Sequence, residues 1–209
     1  RIAIGSAEGV RGELEKLILG AHPRLGLALL VDTGLAAYVL PELPALRLEI
    51  DEHHQHKDVY EHTLQVLERA IALETDGPDL VLRLAALLHD IGKGSDAEDH
   101  SEAGEPMAVR IAIRWGFGAE DAAIIGRLVR WHLLLPTIAT RRDIEDPSTA
   151  ANVAEVVGTE DFLELLAALT AADAQALKDA LGITTVRQLG TNKYFLLAQG
   201  IVALANQEE

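Results

Sequence analysis

The sequence predicts an all-α bundle from three features. Of 209 residues only 4% are aromatic, Ala and Leu dominate, and β-branched runs are few, a balance that favours helix over sheet. Apolar residues recur at helical spacing, as with Val59, Leu64, Val66 and Leu67. Start and stop signals for helices flank the apolar stretches.

Taken in order, Ser6 can cap a first helix reaching Leu19, which His22-Pro23 breaks. A second helical stretch covers 24–35, followed by a short turn over 36–40 that Pro41 and Pro44 end. Residues 47–56 are polar and rich in histidine, and His53, His54 and His56 read as surface residues. A helix around residues 59–67 carries His62. Asp79 opens the next after Gly77-Pro78, and Gly92 is placed to end it in a left-handed conformation with Lys93 at its mouth. Asp99 marks another start, and His132 sits near the end of a helix that begins by Ile124. Asp146-Pro147 is an N-cap with a first-turn proline, Gly158 closes that helix, and Thr159 caps the helix carrying Asp173. From 177 the chain reads as a helical hairpin and an amphipathic helix whose Tyr194, Phe195, Leu197, Ile201, Val202 and Leu204 pack as a lid. Three regions are thus expected: a helical segment over 1–50, the main domain over 51–176, and a tail over 177–209.

The chemistry centres on His89 and Asp90, side by side at the end of an apolar run from Leu84 to Lys93. An imidazole and a carboxylate are costly in a wall of Leu and Ala unless compensated. A divalent cation compensates both; a hydrogen-bonded His–Asp pair inside a core is the plainer alternative. His62 and Asp173 lie in two further amphipathic helices, and facing helices are how bundles assemble metal sites.

The order His62, His89-Asp90, Asp173 resembles the HD-domain superfamily of metal-dependent phosphohydrolases, with the match spanning about residues 50–176. The resemblance implies an HD-domain helical bundle in which these four residues bind a divalent metal. Some HD families add two histidines between the HD pair and the last Asp and hold two metals, and His100 and His132 fall in that interval. They are expected at the site, as ligands or against substrate phosphate, with one ion or two. Residues 6–93 are similar to the neck and HD region of actinobacterial CCA-adding tRNA nucleotidyltransferases, through 10–19, 26–35 and 53–62. Residues 94–176 resemble the HD domain of the bifunctional PII uridylyltransferase/uridylyl-removing enzyme, through 99–104, 131–135, 139–143 and 169–174. Two such halves read as a mosaic, an engineered or recombined sequence.

Composition sets bounds on the function. With no cysteine, any metal must take N and O donors, and disulfides are excluded. Imidazole and carboxylate suit manganese, iron, nickel, cobalt or zinc better than magnesium. A net charge of −15 argues against general nucleic-acid binding. No apolar stretch of about 18 residues is expected, nor a signal-like start, so the protein is placed in the cytoplasm and off the membrane. No Gly-Ser pair followed by an Asp-x-Asp clamp occurs, so nucleotidyl transfer is not expected.

The expected reaction is metal-assisted hydrolysis of a phosphate ester, on a small nucleotide or phosphodiester. Asp90 ligates the ion and steers water; Lys93, Arg141 and Arg142 neutralise charge on the phosphate, the two arginines from a loop after the His132 helix. Arg110, Arg114 and Arg127 read as ordinary surface residues. By resemblance alone, a PII-like protein or tRNA is a partner. The competing readings are an HD-fold helical scaffold that binds metal with little or no catalysis, and a nucleic-acid module using the tail hairpin.

Overall fold

Three aspartates each stop the chain and start a helix where the sequence sets a cap. Asp79 accepts from the backbone N–H of Leu82, Asp99 from those of Ser101 and Glu102, and Asp146 from that of Ser148. The computed structural model describes residues 7–47, 59–143 and 146–181. Its helices run α1 Ala7–Leu19, α2 Pro23–Asp32, α3 Ala36–Val39, α4 Glu42–Ala45, α5 Val59–Leu73 and α6 Leu80–Leu88. A 3₁₀ turn, Ile91–Gly94, leads to α7 His100–Arg114, α8 Ala119–Trp131, α9 Leu134–Arg141, α10 Pro147–Val157 and α11 Glu160–Leu181. No strand occurs among the described residues, as the composition predicts.

α6 is the middle of the bundle. Every residue from Leu82 to Leu88 is buried, and α1, α5, α8 and α11 pack around it. A helix that is apolar all round has no solvent face to keep, which is why its end can present His89 and Asp90 to the interior. α7 lies along α8 and against the 3₁₀ turn, and α11 lies along α5.

One charged residue interrupts the apolar run of α6. Arg83 is 4% exposed, and its guanidinium takes both carboxylate oxygens of Glu74 at 2.7 and 2.6 Å. Its remaining nitrogen donates to the carbonyls of Ile18 at 2.7 Å and Gly20 at 3.1 Å, satisfying the end of α1. The N-terminal helices are also tied down at α7. Arg114 makes a bidentate pair with Glu42, and buried Trp115 donates Nε1–H to the Val39 carbonyl at 2.8 Å.

The structure corrects several expectations. Gly92 is not left-handed: among the described residues, positive φ occurs at Gly34, Gly77, Gly116 and Gly158. Glycine stands at 92 because a Cβ there would meet the His100 carbonyl oxygen at 2.0 Å, so two backbones pass too closely for any side chain. Arg141 is not in a loop; it ends α9, and Arg142 caps that helix. The span Ala119–Ala139 is long and apolar enough to cross a membrane by length and composition, contrary to the expectation that no such stretch exists. It is two helices, α8 and α9, broken at His132 and Leu133, and the inner face of α8 is buried in the bundle. α11 runs to Leu181. The rest of the expected tail, Ser6, and His53, His54 and His56 lie outside the described residues.

Candidate metal centre

His62 projects from the first turns of α5, His89 caps the end of α6, and Asp90 follows in the turn to the 3₁₀ segment. His100 opens α7, His132 caps the end of α8, and Asp173 lies in the second half of α11. Four helices thus turn an imidazole toward one carboxylate. Asp90 Oδ2 faces His89 Nε2 at 3.3 Å and His62 Nε2 at 3.9 Å. Its other oxygen, Oδ1, faces His100 Nε2 at 3.4 Å and His132 Nε2 at 3.8 Å. Asp173 Oδ1 completes the first half, 3.0 Å from His62 Nε2. The six residues named as candidate metal ligands in the sequence come together. Two triads share Asp90: His62, His89 and Asp90, and Asp90, His100 and His132, with the donor atoms of each within 4.8 Å of one another.

The backbone aims two of these rings. His89 Nδ1–H donates to the Ala86 carbonyl at 2.8 Å, and His132 Nδ1–H donates to the Val129 carbonyl at 2.7 Å. A carbonyl only accepts, so each Nδ1 carries hydrogen and each Nε2 points inward, as second-shell contacts orient ligands in metal sites. Both bonds reach back three residues at a helix end, where carbonyls lack intrahelical partners. Thr170 on α11 also donates to the carbonyl of His132, at 3.4 Å. These orienting groups were not named from the sequence, and the only signal for them was a histidine placed at a helix terminus.

The electrostatics call for positive charge. Burial acts to lower the His89 pKa, yet the Asp90 and Asp173 carboxylates raise it to about 9. Burial, with His89 beside it, pushes His132 down to about 4. Burial likewise lowers His100. Burial works to raise Asp90, but His89 and Lys93 hold it well below the usual carboxylate range, and Asp173 is lowered through His62 and His89 against the same penalty. His89 Nε2, His100 Nε2 and Asp173 Oδ1 are buried without a hydrogen-bond partner. Ligand atoms of this kind, all N and O and gathered about Asp90, fit divalent cations.

The cluster opens on one side. Asp90 keeps 2% of its side chain exposed, while His100 keeps 27% and Lys93 keeps 37%. Lys93 Nζ lies 2.6 Å from Asp90 Oδ2, so the lysine placed at the mouth pairs with the shared carboxylate. Arg141 and Arg142 are exposed and stand outside the contacts that join the six. Arg127, half-buried, donates to the carbonyls of Val156 and Val157 and lies over Phe162, a structural role that the reading of it as an ordinary surface residue did not include.

Residues 59–177 match the HD domain, and residues 1–46 match the probable RNA and SrmB-binding site of polymerase A. The second match accords with the resemblance of the first half to CCA-adding enzymes. Similar curated proteins carry the name bifunctional uridylyltransferase/uridylyl-removing enzyme. That of Streptomyces coelicolor is 47% identical over 146 residues, 68% of this chain and 17% of the relative. That of Mycobacterium tuberculosis is 42% identical over 148 residues, 69% of this chain and 18% of the relative. In Cereibacter sphaeroides the identity is 34% over 178 residues, 77% of this chain and 19% of the relative. The chain therefore spans under a fifth of the length of these relatives. A 178-residue match cannot fit within 94–176, so likeness to the uridylyl-removing enzymes reaches into the first half as well, and a join near residue 93 is not required. With the HD match over more than half its length and its ligand-type residues gathered at one point, the chain belongs to the HD-domain family of metal-dependent phosphohydrolases.

Proposed function

We propose that this domain holds two divalent ions, manganese, iron, cobalt, nickel or zinc in preference to magnesium, and hydrolyses a nucleotidyl phosphodiester. The observation that carries the reading is the division of Asp90: one oxygen toward His62 and His89, the other toward His100 and His132. A carboxylate between two sets of imidazoles is the arrangement in which paired ions clamp a phosphate. His62, His89, Asp90 and Asp173 would hold one ion; Asp90, His100 and His132 would hold the other. Bound there, the ions supply acidity to water and draw charge from a phosphoryl oxygen.

The chain's own residues do the rest. The Ala86 and Val129 carbonyls keep the Nε2 atoms of His89 and His132 turned to the site. His132, held neutral down to about pH 4, offers a lone pair throughout the physiological range. Asp90, kept ionised by His89 and Lys93, can orient a water for in-line attack at phosphorus. The water oxygen bonds to phosphorus as the ester oxygen leaves with a proton. Lys93, at the open side, is the nearest cation for charge on the phosphate oxygens. Arg141 and Arg142 are kept as weaker candidates for the same role.

For the substrate, the relatives' name favours a uridylyl ester, and the resemblance of residues 94–176 to the PII uridylyl-removing enzyme makes a uridylylated PII-like protein the proposed partner. tRNA is disfavoured by the N-terminal segment. Arg11 pairs with Glu15, Lys16 with Glu13, Arg24 with Glu61 and Glu68, and Arg47 with Asp32, which leaves no basic face over residues 7–47 for phosphates. The test is hydrolysis by manganese-loaded protein of bis-p-nitrophenyl phosphate, 2′,3′-cyclic AMP and a uridylylated tyrosine peptide. The peptide should turn over fastest. A metal-loaded protein inactive on all three would leave the metal-binding helical scaffold in place of the enzyme.

A further inference from the structure

Asp90 Oδ2, the oxygen turned to His62 and His89, already carries a cation. Lys93 Nζ lies 2.6 Å from it, closer than either imidazole. The two partners differ in freedom. Asp90 is buried and followed at once by the 3₁₀ turn, whereas the Lys93 side chain is 37% exposed on a flexible four-carbon stem. Its backbone is fixed separately, Lys93 N–H donating to the Asp90 carbonyl at 2.9 Å, so the ammonium can leave without moving the turn.

An ammonium and a divalent ion sharing one carboxylate oxygen repel each other, and more strongly in a buried site than in water. We propose that Lys93 is a tethered counter-cation that neutralises Asp90 in the metal-free site, and that metal loading releases it toward the open side to receive a substrate phosphate. Binding is then ordered: until an ion sits on the Oδ2 side, the phosphate-binding ammonium is engaged by Asp90. Premature binding of a phosphate in the empty centre is suppressed by the same contact. The inference rests on the proposed metal centre and adds to it the state of one residue before and after loading.

The test is acetylation of lysines by acetic anhydride at fixed pH, read residue by residue by mass spectrometry in chelator and in manganese. Lys93 should label several-fold faster once manganese is bound, while Lys16, paired with Glu13 away from the site, should not change. In parallel, inorganic phosphate should bind the manganese-loaded parent about tenfold more tightly than manganese-loaded Lys93→Met, the worth of one charge-assisted contact. Lys93→Met should itself bind manganese more tightly than the parent, because a competing charge is gone. Unchanged or slower Lys93 labelling in protein shown by elemental analysis to contain manganese overturns the release while leaving the metal centre standing. Absence of manganese from the parent overturns both.

Discussion

Gly92→Ala is the sharpest perturbation that leaves every ligand side chain in place. A Cβ at residue 92 would stand 2.0 Å from the His100 carbonyl oxygen and 2.8 Å from the Gly104 nitrogen. Real Cβ atoms essentially never come within 3.0 Å of such atoms, so the 3₁₀ turn and the first turn of α7 must separate by at least about 1 Å. Neither atom can yield by changing rotamer, since both are backbone. The movement falls on His100, whose ring faces Asp90 Oδ1. A displacement of about 1 Å at a reacting centre can cost about a hundredfold in rate. Overpacking of this kind costs about 1–3 kcal/mol, which lowers Tm by about 3–10 °C in a chain of this size. The assay pairs manganese-dependent diester hydrolysis with a thermal melt. Gly12→Ala is the control, because nothing lies within 4 Å of a Cβ there; in a helix interior it should gain about 0.5–1 kcal/mol with no loss of rate. Parent-like activity and Tm in Gly92→Ala would refute the argument that this glycine sets the position of His100.

Other outcomes are equally specific. Arg83→Met should cost about 3–5 kcal/mol in urea unfolding, because Glu74 is left buried without its partner; Arg83→Met with Glu74→Leu should recover part of that. In metal-free protein, His89 raised to about 9 contributes stability that is full below 6.5 and lost as pH rises through about 9. His132, lowered to about 4, takes up its proton on unfolding, so stability falls as pH drops from 6.5 toward 4. Urea midpoints of the apoprotein should therefore peak near pH 6.5, and a flat profile from pH 4 to 9 would contradict these electrostatics. Manganese at about a hundred times its Kd at both sites should raise Tm by about 10–20 °C, reversed by chelator, since that excess is worth about 2.7 kcal/mol per ion.

How much of this was legible in the sequence depends on which physics placed each residue. Caps were legible because they are local: Asp79, Asp99, Asp146, Thr159 and Gly158 each act within a few residues of their own position, and all five do so in the structure. The grouping of His62, His89, Asp90 and Asp173 was also legible, because acids and imidazoles in apolar helices need one another, whereas His100 and His132 were placed with them by the resemblance to HD families that add two histidines. The division of Asp90 between two triads was not, since it depends on how α7 and α8 lie against the turn. Gly92 was identified as special for the wrong reason. A turn and a close approach leave the same glycine in a sequence, and only the position of His100 tells them apart. Arg83 passed unnoticed within its Leu run although its partner, Glu74, is only nine residues away, because the carbonyls it caps belong to α1, more than sixty residues earlier. Arg141 was expected in a loop after the His132 helix, yet α9 continues through Pro136, which lies in its first turn where no N–H is needed.

The central claim is that Asp90 is the shared ligand of two ions, and metal content measures it directly. Elemental analysis of protein loaded with manganese and desalted should give about two ions per folded chain for the parent and about one for His100→Ala with His132→Ala. Asp90→Ala should retain essentially none, with circular dichroism showing the helices intact. An Asp90→Ala protein that keeps the parent's metal would contradict the account.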